Sequence, residues 1–343
     1  MIVKIVKLIV FFIITIVMII WGGGISLSQD AEYSQSVDRI YAFHKQPKDT
    51  IDVVLVGASS VYRGWSSMDA YNNYGFTSWA WSTSSQPFIA TKYIIKDVQR
   101  NQSPSLYVIN YSNMRRGSTK YQEGFIREVT DSLLFSFNRQ QAIQALMPYR
   151  AEDNINLLYY TFPFLRFHGN WEFFMNGILT PKDTNTMGTL VQPLSFETTF
   201  EDTYYQGSAT DDPLDPSMQK EINDLLSWVN KENIPVLFVL YPRVLSEKDN
   251  SRFNTIEALF DEYGIAYLNL AKEIDKIGLD GAKDFQDEAH LNYWGRMKVT
   301  DYISEYIRNN YIISDHRGDP AYAAWDEAYQ NYTSLVDKYL SES

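Results

Sequence analysis

The chain has 343 residues, 45% of them apolar, and a net charge of −12. That is material for one large domain or one domain with insertions, and it offers no basic face to grip a phosphate backbone, which argues against nucleic-acid binding. There is no cysteine, so disulfides, thiolate metal sites and a lipoprotein anchor are excluded.

Residues 1–24 carry Lys4 and Lys7 ahead of a charge-free run from Leu8 to Trp21 that is apolar but for Thr15. Counted from Ile2, about 20 residues suit a bilayer core of roughly 30 Å, with the lysines at the cytoplasmic side. The charge-free run is also short enough for a cleaved signal peptide, but Gly24-Ile25-Ser26 is a poor cleavage site, and an uncleaved anchor is the favoured reading. Either way the rest of the chain is exported. Residues 25–49 read as a stalk, partly helical through Val37, Ile40, Tyr41 and His44. His44 has no acid placed locally to orient it and reads as packing or surface.

At Ile51-Asp52-Val53-Val54-Leu55-Val56-Gly57-Ala58-Ser59-Ser60 four branched apolar residues stop at a small-residue turn. This is how a strand buried on both faces delivers its end to the ligand-binding edge of an α/β sheet. Further strands are expected over 75–81, 105–110, 234–241 and 265–270, with helices up to Arg100, over Thr130–Leu146, from Pro216 to Asn230, over Phe253–Tyr263 and from Trp294 to Asn310. The alternation predicts an α/β fold, a flavodoxin-like three-layer sandwich about a mainly parallel five-stranded sheet with right-handed crossovers. An insertion at about 148–215 opens with an aromatic run from Tyr159 to Phe174, most simply core beneath a lid, although an exposed fraction would suit a membrane-proximal face. Residues 319–343 read as an amphipathic, aromatic-rich helix docked on the domain that occupies 50–318.

Of the four histidines only His290 has an aspartate three residues before it, in Asp284-Phe285-Gln286-Asp287-Glu288-Ala289-His290-Leu291-Asn292. A D-x-x-H turn lets Asp287 accept from Nδ1–H and leaves Nε2 to take a proton from a serine, so Ser59, Asp287 and His290 form a candidate triad. Ser60 is an alternative nucleophile and Asp284 an alternative acid with poorer spacing. A second histidine at ligand spacing is missing, so a metal reading is poor.

A Gly-x-Ser turn after the first strand, with Asp-x-x-His-Leu-Asn before the last helix of the sheet domain, resembles the SGNH (GDSL-type) hydrolase superfamily over about residues 50–310. The most similar branch is membrane-anchored and extracytoplasmic, with teichoic acid D-alanylation proteins and polysaccharide O-acetyltransferases and esterases among its members. The resemblance implies an oxyanion contact from the backbone of Ser82 and the side chain of Asn113. Ser82 replaces the family's glycine, and Tyr111 and Met114 flank Asn113 where the family has glycine and aspartate, so Asn113 also reads as a simple turn residue. It further implies an acylated glycan or teichoic-acid-like polymer as substrate, a multipass membrane O-acyltransferase as partner, and no cofactor. His168 is a candidate cleft residue by the same likeness, with packing among aromatics as its alternative. Arg243, after a strand end, is a candidate for a substrate phosphate or carboxylate, with a surface ion pair as the default. The expected activity is serine esterase or O-acyltransferase, and the rival is a degenerate domain that binds polysaccharide or scaffolds a membrane complex.

Overall fold

The computed structural model of the chain describes residues 2–23, 31–116, 119–152, 156–169, 185–190 and 213–342. Five strands, β1 (Val53–Gly57), β2 (Ser78–Ser82), β3 (Leu106–Asn110), β4 (Val236–Leu240) and β5 (Tyr267–Asn269), form one sheet in the order β2-β1-β3-β4-β5, parallel throughout. Every residue of β1 is buried, because it is flanked by strands on both sides and covered on both faces. Successive side chains of a strand point to opposite faces. Val54 and Val56 therefore join one core with Trp79, Trp81 and Phe238, while Val53 and Leu55 join a second with Leu237, Val299 and Ile303. The chain steps from β1 to β2 on one side and then to β3 on the other. That reversal makes the C-terminal end of β1 the switch point of the sheet, the usual ligand position in open α/β sheets.

Of the segment read as a stalk, the described part, from Ala31 on, packs on the domain. Its helix Ala31–His44 buries Ile40 and Phe43, and the Phe43 ring meets Trp79 edge-on at 5.8 Å. The buried residues Val37, Ile40 and Phe43 alternate with polar ones, so the segment reads as polar along the sequence. His44 does have an acid, brought from far along the chain: its Nε2 lies 3.0 Å from the Ser132 carbonyl and 3.4 Å from Asp97 Oδ2. The expected single helix Thr130–Leu146 is two, Glu123–Ser132 and Phe137–Leu146, because Ser136 caps the second by accepting from the Arg139 N–H at 3.2 Å. Such caps stop a helix continuing through them.

Trp171 to Phe174 and most of the insertion lie outside the described residues. Within it, 185–190 packs on the core: Thr189 Oγ1 accepts from the Met68 N–H at 3.2 Å, and Gly188, at φ +73°, lies against Trp79 where a Cβ would fall 2.6 Å from the ring. The C-terminal helix Ala323–Glu342 buries Trp325, Ala328 and Tyr332, and the Tyr332 hydroxyl donates to Asp69 at 2.8 Å. At the other end, residues Ile2–Gly23 are helical, with side chains described from Lys4 to Thr15. Among the described residues no helix is long and apolar enough to cross a membrane.

Candidate active site

Ser59 is the first residue of a short helix, Ser59–Gly64, that follows β1 after one linking residue, Ala58. The tightness of this elbow explains its small residues. A Cβ on Gly57 would lie 2.5 Å from Asn110 Cβ and 2.8 Å from Val61. The Gln86 side chain lies against the same peptide, its amide nitrogen 3.0 Å from the Gly57 carbonyl and its oxygen 3.3 Å from the Gly57 N–H in the orientation that satisfies both. Asn110 Nδ2 donates to Ser60 Oγ at 2.9 Å while its Oδ1 accepts from the Ser112 N–H at 2.7 Å. Ser60 is thereby buried and engaged, which leaves Ser59 as the outward hydroxyl.

The D-x-x-H segment is a small antiparallel hairpin, β6 (Phe285–Asp287) and β7 (His290–Leu291), with Asp287 paired opposite His290. Asp287 Oδ1 accepts from the Ala289 N–H at 2.8 Å, closing the turn on itself as aspartate side chains do in tight turns. The two carboxylate oxygens lie 2.8 and 2.7 Å from His290 Nδ1, and His290 Nε2 lies 2.7 Å from Ser59 Oγ. With Nδ1–H donated to the carboxylate, Nε2 is left to accept the serine proton. Burial pushes the Asp287 carboxyl upward, but the His290 hydrogen bond, the Ala289 N–H and the charges of His290 and Arg63 outweigh it and hold the group below the usual carboxylate range.

Neighbouring residues fix the hairpin against the nucleophile helix. Arg63, one turn after Ser59, donates to Gln286 Oε1 at 2.7 Å, and the Val244 N–H donates to the Glu288 carbonyl at 2.9 Å. Asn292 caps the next helix, Tyr293–Asn310, by accepting from the Gly295 N–H at 3.1 Å, and its Nδ2 donates to the Lys283 carbonyl at 2.6 Å. Asp284 is buried and bonded to Lys298 Nζ and the Asp280 N–H, each at 2.7 Å. It is therefore committed elsewhere, and Asp287 is the acid on the imidazole.

The other expected residues fare differently. Ser82 ends β2 opposite Gly57 and is wholly buried, with its carbonyl taken by Arg39 at 3.0 Å. The next two N–H groups are also engaged, Thr83 with the Gly57 carbonyl at 3.3 Å and Ser84 with Glu128 Oε2 at 2.7 Å. Asn113 donates its amide to the Gln86 carbonyl at 2.7 Å, which ties its loop to the one after β2, 27 residues away, and closes no local turn. The donors best placed for an oxyanion are then the Ser59 and Ser60 N–H groups, which as first-turn amides have no helical acceptor. Arg243 sits in the loop whose Val244 holds the triad hairpin. His168 is exposed at the end of helix Pro163–Phe167, bonded to the Leu165 carbonyl at 3.0 Å, and is not brought to the triad. Among the described residues no group of three His, Asp or Glu side chains is placed to hold a metal ion.

Arg63, Gln86 and Asn110 were not singled out by the sequence. Only Asn110 carried a signal, as the polar last residue of an otherwise apolar strand. The chain matches no protein-family model, no curated protein and no solved structure.

Proposed function

We infer that the chain is a serine-dependent esterase or O-acyltransferase of the SGNH type on a flavodoxin-like sheet, exported and held at the membrane by its N-terminal helix. The observation that carries this is the unbroken contact from Asp287 through His290 to Ser59, with 2.7 Å between imidazole and hydroxyl. Ser59 Oγ attacks an ester carbonyl as His290 Nε2 takes its proton, and Asp287 steadies the imidazolium. The Ser59 and Ser60 N–H groups meet the oxyanion. The imidazolium then protonates the departing alkoxide, and water or a sugar hydroxyl, deprotonated by the same nitrogen, releases the acyl group. The motifs and the export signal favour acyl esters of cell-envelope or exopolysaccharide glycans, with a multipass acyltransferase as the donor-side partner.

The test is hydrolysis of p-nitrophenyl acetate by the protein and by Ser59→Ala, together with fluorophosphonate labelling. Turnover and labelling that both vanish in the variant support the reading. Labelling and turnover indifferent to Ser59 overturn it. A second reading, a non-catalytic glycan-binding or scaffolding domain, is favoured by the commitment of the Asn113 amide to the Gln86 carbonyl, and it predicts no Ser59-dependent reaction at all.

A further inference from the structure

Two five-residue helices, Leu157–Thr161 and Pro163–Phe167, stand on helix Glu123–Ser132. Helices this short are not stable alone, and here two buried arginines hold them from below. Arg127 donates to the Tyr159 carbonyl at 3.1 Å and stacks over the Tyr160 ring at 4.3 Å and the Phe167 ring at 5.1 Å. Arg139 donates to the Tyr160 carbonyl at 2.9 Å. Beneath the helices the carboxylates are neutralised: Asp131 pairs with Arg127 at 3.4 Å and Arg139 at 3.1 Å, and Glu123 pairs with Arg166 at 3.1 Å. Outward go Phe135, Phe137, Leu157, Leu158, Tyr159 and Phe164, between 37% and 78% exposed. A polar network has been built underneath to present apolar groups above, the reverse of a soluble surface.

Helix Pro163–Phe167 also touches the N-terminal helix Ile2–Gly23, whose described apolar side chains from Ile5 to Ile14 are about half exposed on every side. The apolar face therefore continues into the apolar helix, and both call for the same solvent. We propose that these six side chains rest in the interfacial layer of a lipid bilayer, so that the domain docks flat beside its anchor instead of hanging from it. Phenylalanine, leucine and tyrosine suit that layer, and the pairing of Glu123 and Asp131 with arginines keeps unpaired negative charge of these two groups away from anionic headgroups at this face. The proposal rests on the anchored reading of the N-terminal helix.

The absence of cysteine makes single labels clean. Full-length Phe11→Cys, Phe137→Cys, Leu158→Cys and Ile312→Cys would each carry an environment-sensitive fluorophore in phosphatidylcholine–phosphatidylglycerol vesicles, with lipids bearing shallow or deep doxyl quenchers. Ile312 is the control, fully exposed and next to the core on the other face of the sheet. The expected result is blue-shifted emission at 137 and 158 lost to the shallow quencher, at 11 lost to the deep one, and water-like emission at 312. Positions 137 and 158 behaving like 312 while 11 is quenched would sink the docking face and leave the anchor standing. A water-like 11 would sink both. Protection of 137 only in native membranes, and not in pure lipid, would overturn the bilayer in favour of a membrane protein.

Discussion

One strand carries an aspartate–histidine pair at each end. Asp52 enters β1 and holds His316 Nε2 at 3.0 Å, and Ser59 follows its exit and meets His290, which is held by Asp287. By strand geometry the two sites lie roughly 23 Å apart. At the entrance the imidazole is stacked at 3.8 Å on Tyr322, and the carboxylate also accepts from the Thr77 N–H and hydroxyl, each at 2.9 Å. The ring there spends the nitrogen it turns toward the strand on the acid itself. At the exit the acid takes Nδ1 and the opposite nitrogen faces a hydroxyl. An aspartate beside a histidine thus fastens the fold or, in the proposed function, primes a serine, according to what the second nitrogen meets.

Four measurements break or sharpen this contrast. Ser59→Ala should lower kcat for p-nitrophenyl acetate by about 10⁴–10⁶ with no change in Tm; an unchanged rate would leave no reason to separate the two pairs. Asp287→Asn should cost about 10²–10⁴ in kcat, because the imidazole loses its tautomer and its counter-charge, while Asp52→Asn should leave kcat alone. Equal losses from both would erase the distinction. Asp52→Ala strips partners from Thr77 and His316, so urea titration should find it about 1–3 kcal/mol less stable with esterase activity intact.

The smallest effect concerns the third pair, His44 and Asp97. Burial pushes the Asp97 carboxyl up to about 7 against the opposing pull of Arg100, the Leu134 N–H and Arg139, and burial pushes His44 down. Between about pH 4 and 7 the folded state then keeps a proton on Asp97 that the unfolded chain has released. That contribution to stability is present at the low end and falls as pH rises through the window. The Tm of Asp97→Asn relative to the parent should therefore climb from pH 4 to 7. A difference that is flat, or that falls, would show that Asp97 is ionised in the fold.

The parts of the site visible in the sequence are those written contiguously. The run Val53–Val56 ending at Gly57-Ala58-Ser59, and the D-x-x-H turn, each encode their local geometry, and the alternation of strands and helices encodes the parallel sheet. What stayed hidden was made by distant contacts. Asp97 reaches His44 and Gln286 reaches Arg63 only through the fold. Asn113 kept a family register, yet its amide went to the Gln86 carbonyl, a contact across 27 residues that spacing does not express. Helix Ala31–His44 read as a tether because Ile40 and Phe43 find their cavity only once Trp79 is in place.

The hairpin Phe285–Leu291 belongs to a sheet of its own, separate from the five parallel strands. His290, the base of the proposed reaction, is mounted on this hairpin, whose Phe285 and Leu291 are buried in the core with Val299 and Ile303 and whose rim is tied by the Arg63–Gln286 and Val244–Glu288 bonds. A substitution at Gln286, half-buried at the rim, would loosen that mounting without entering the core, so loss of turnover in a homogeneous sample of it would point first to the Arg63 bond.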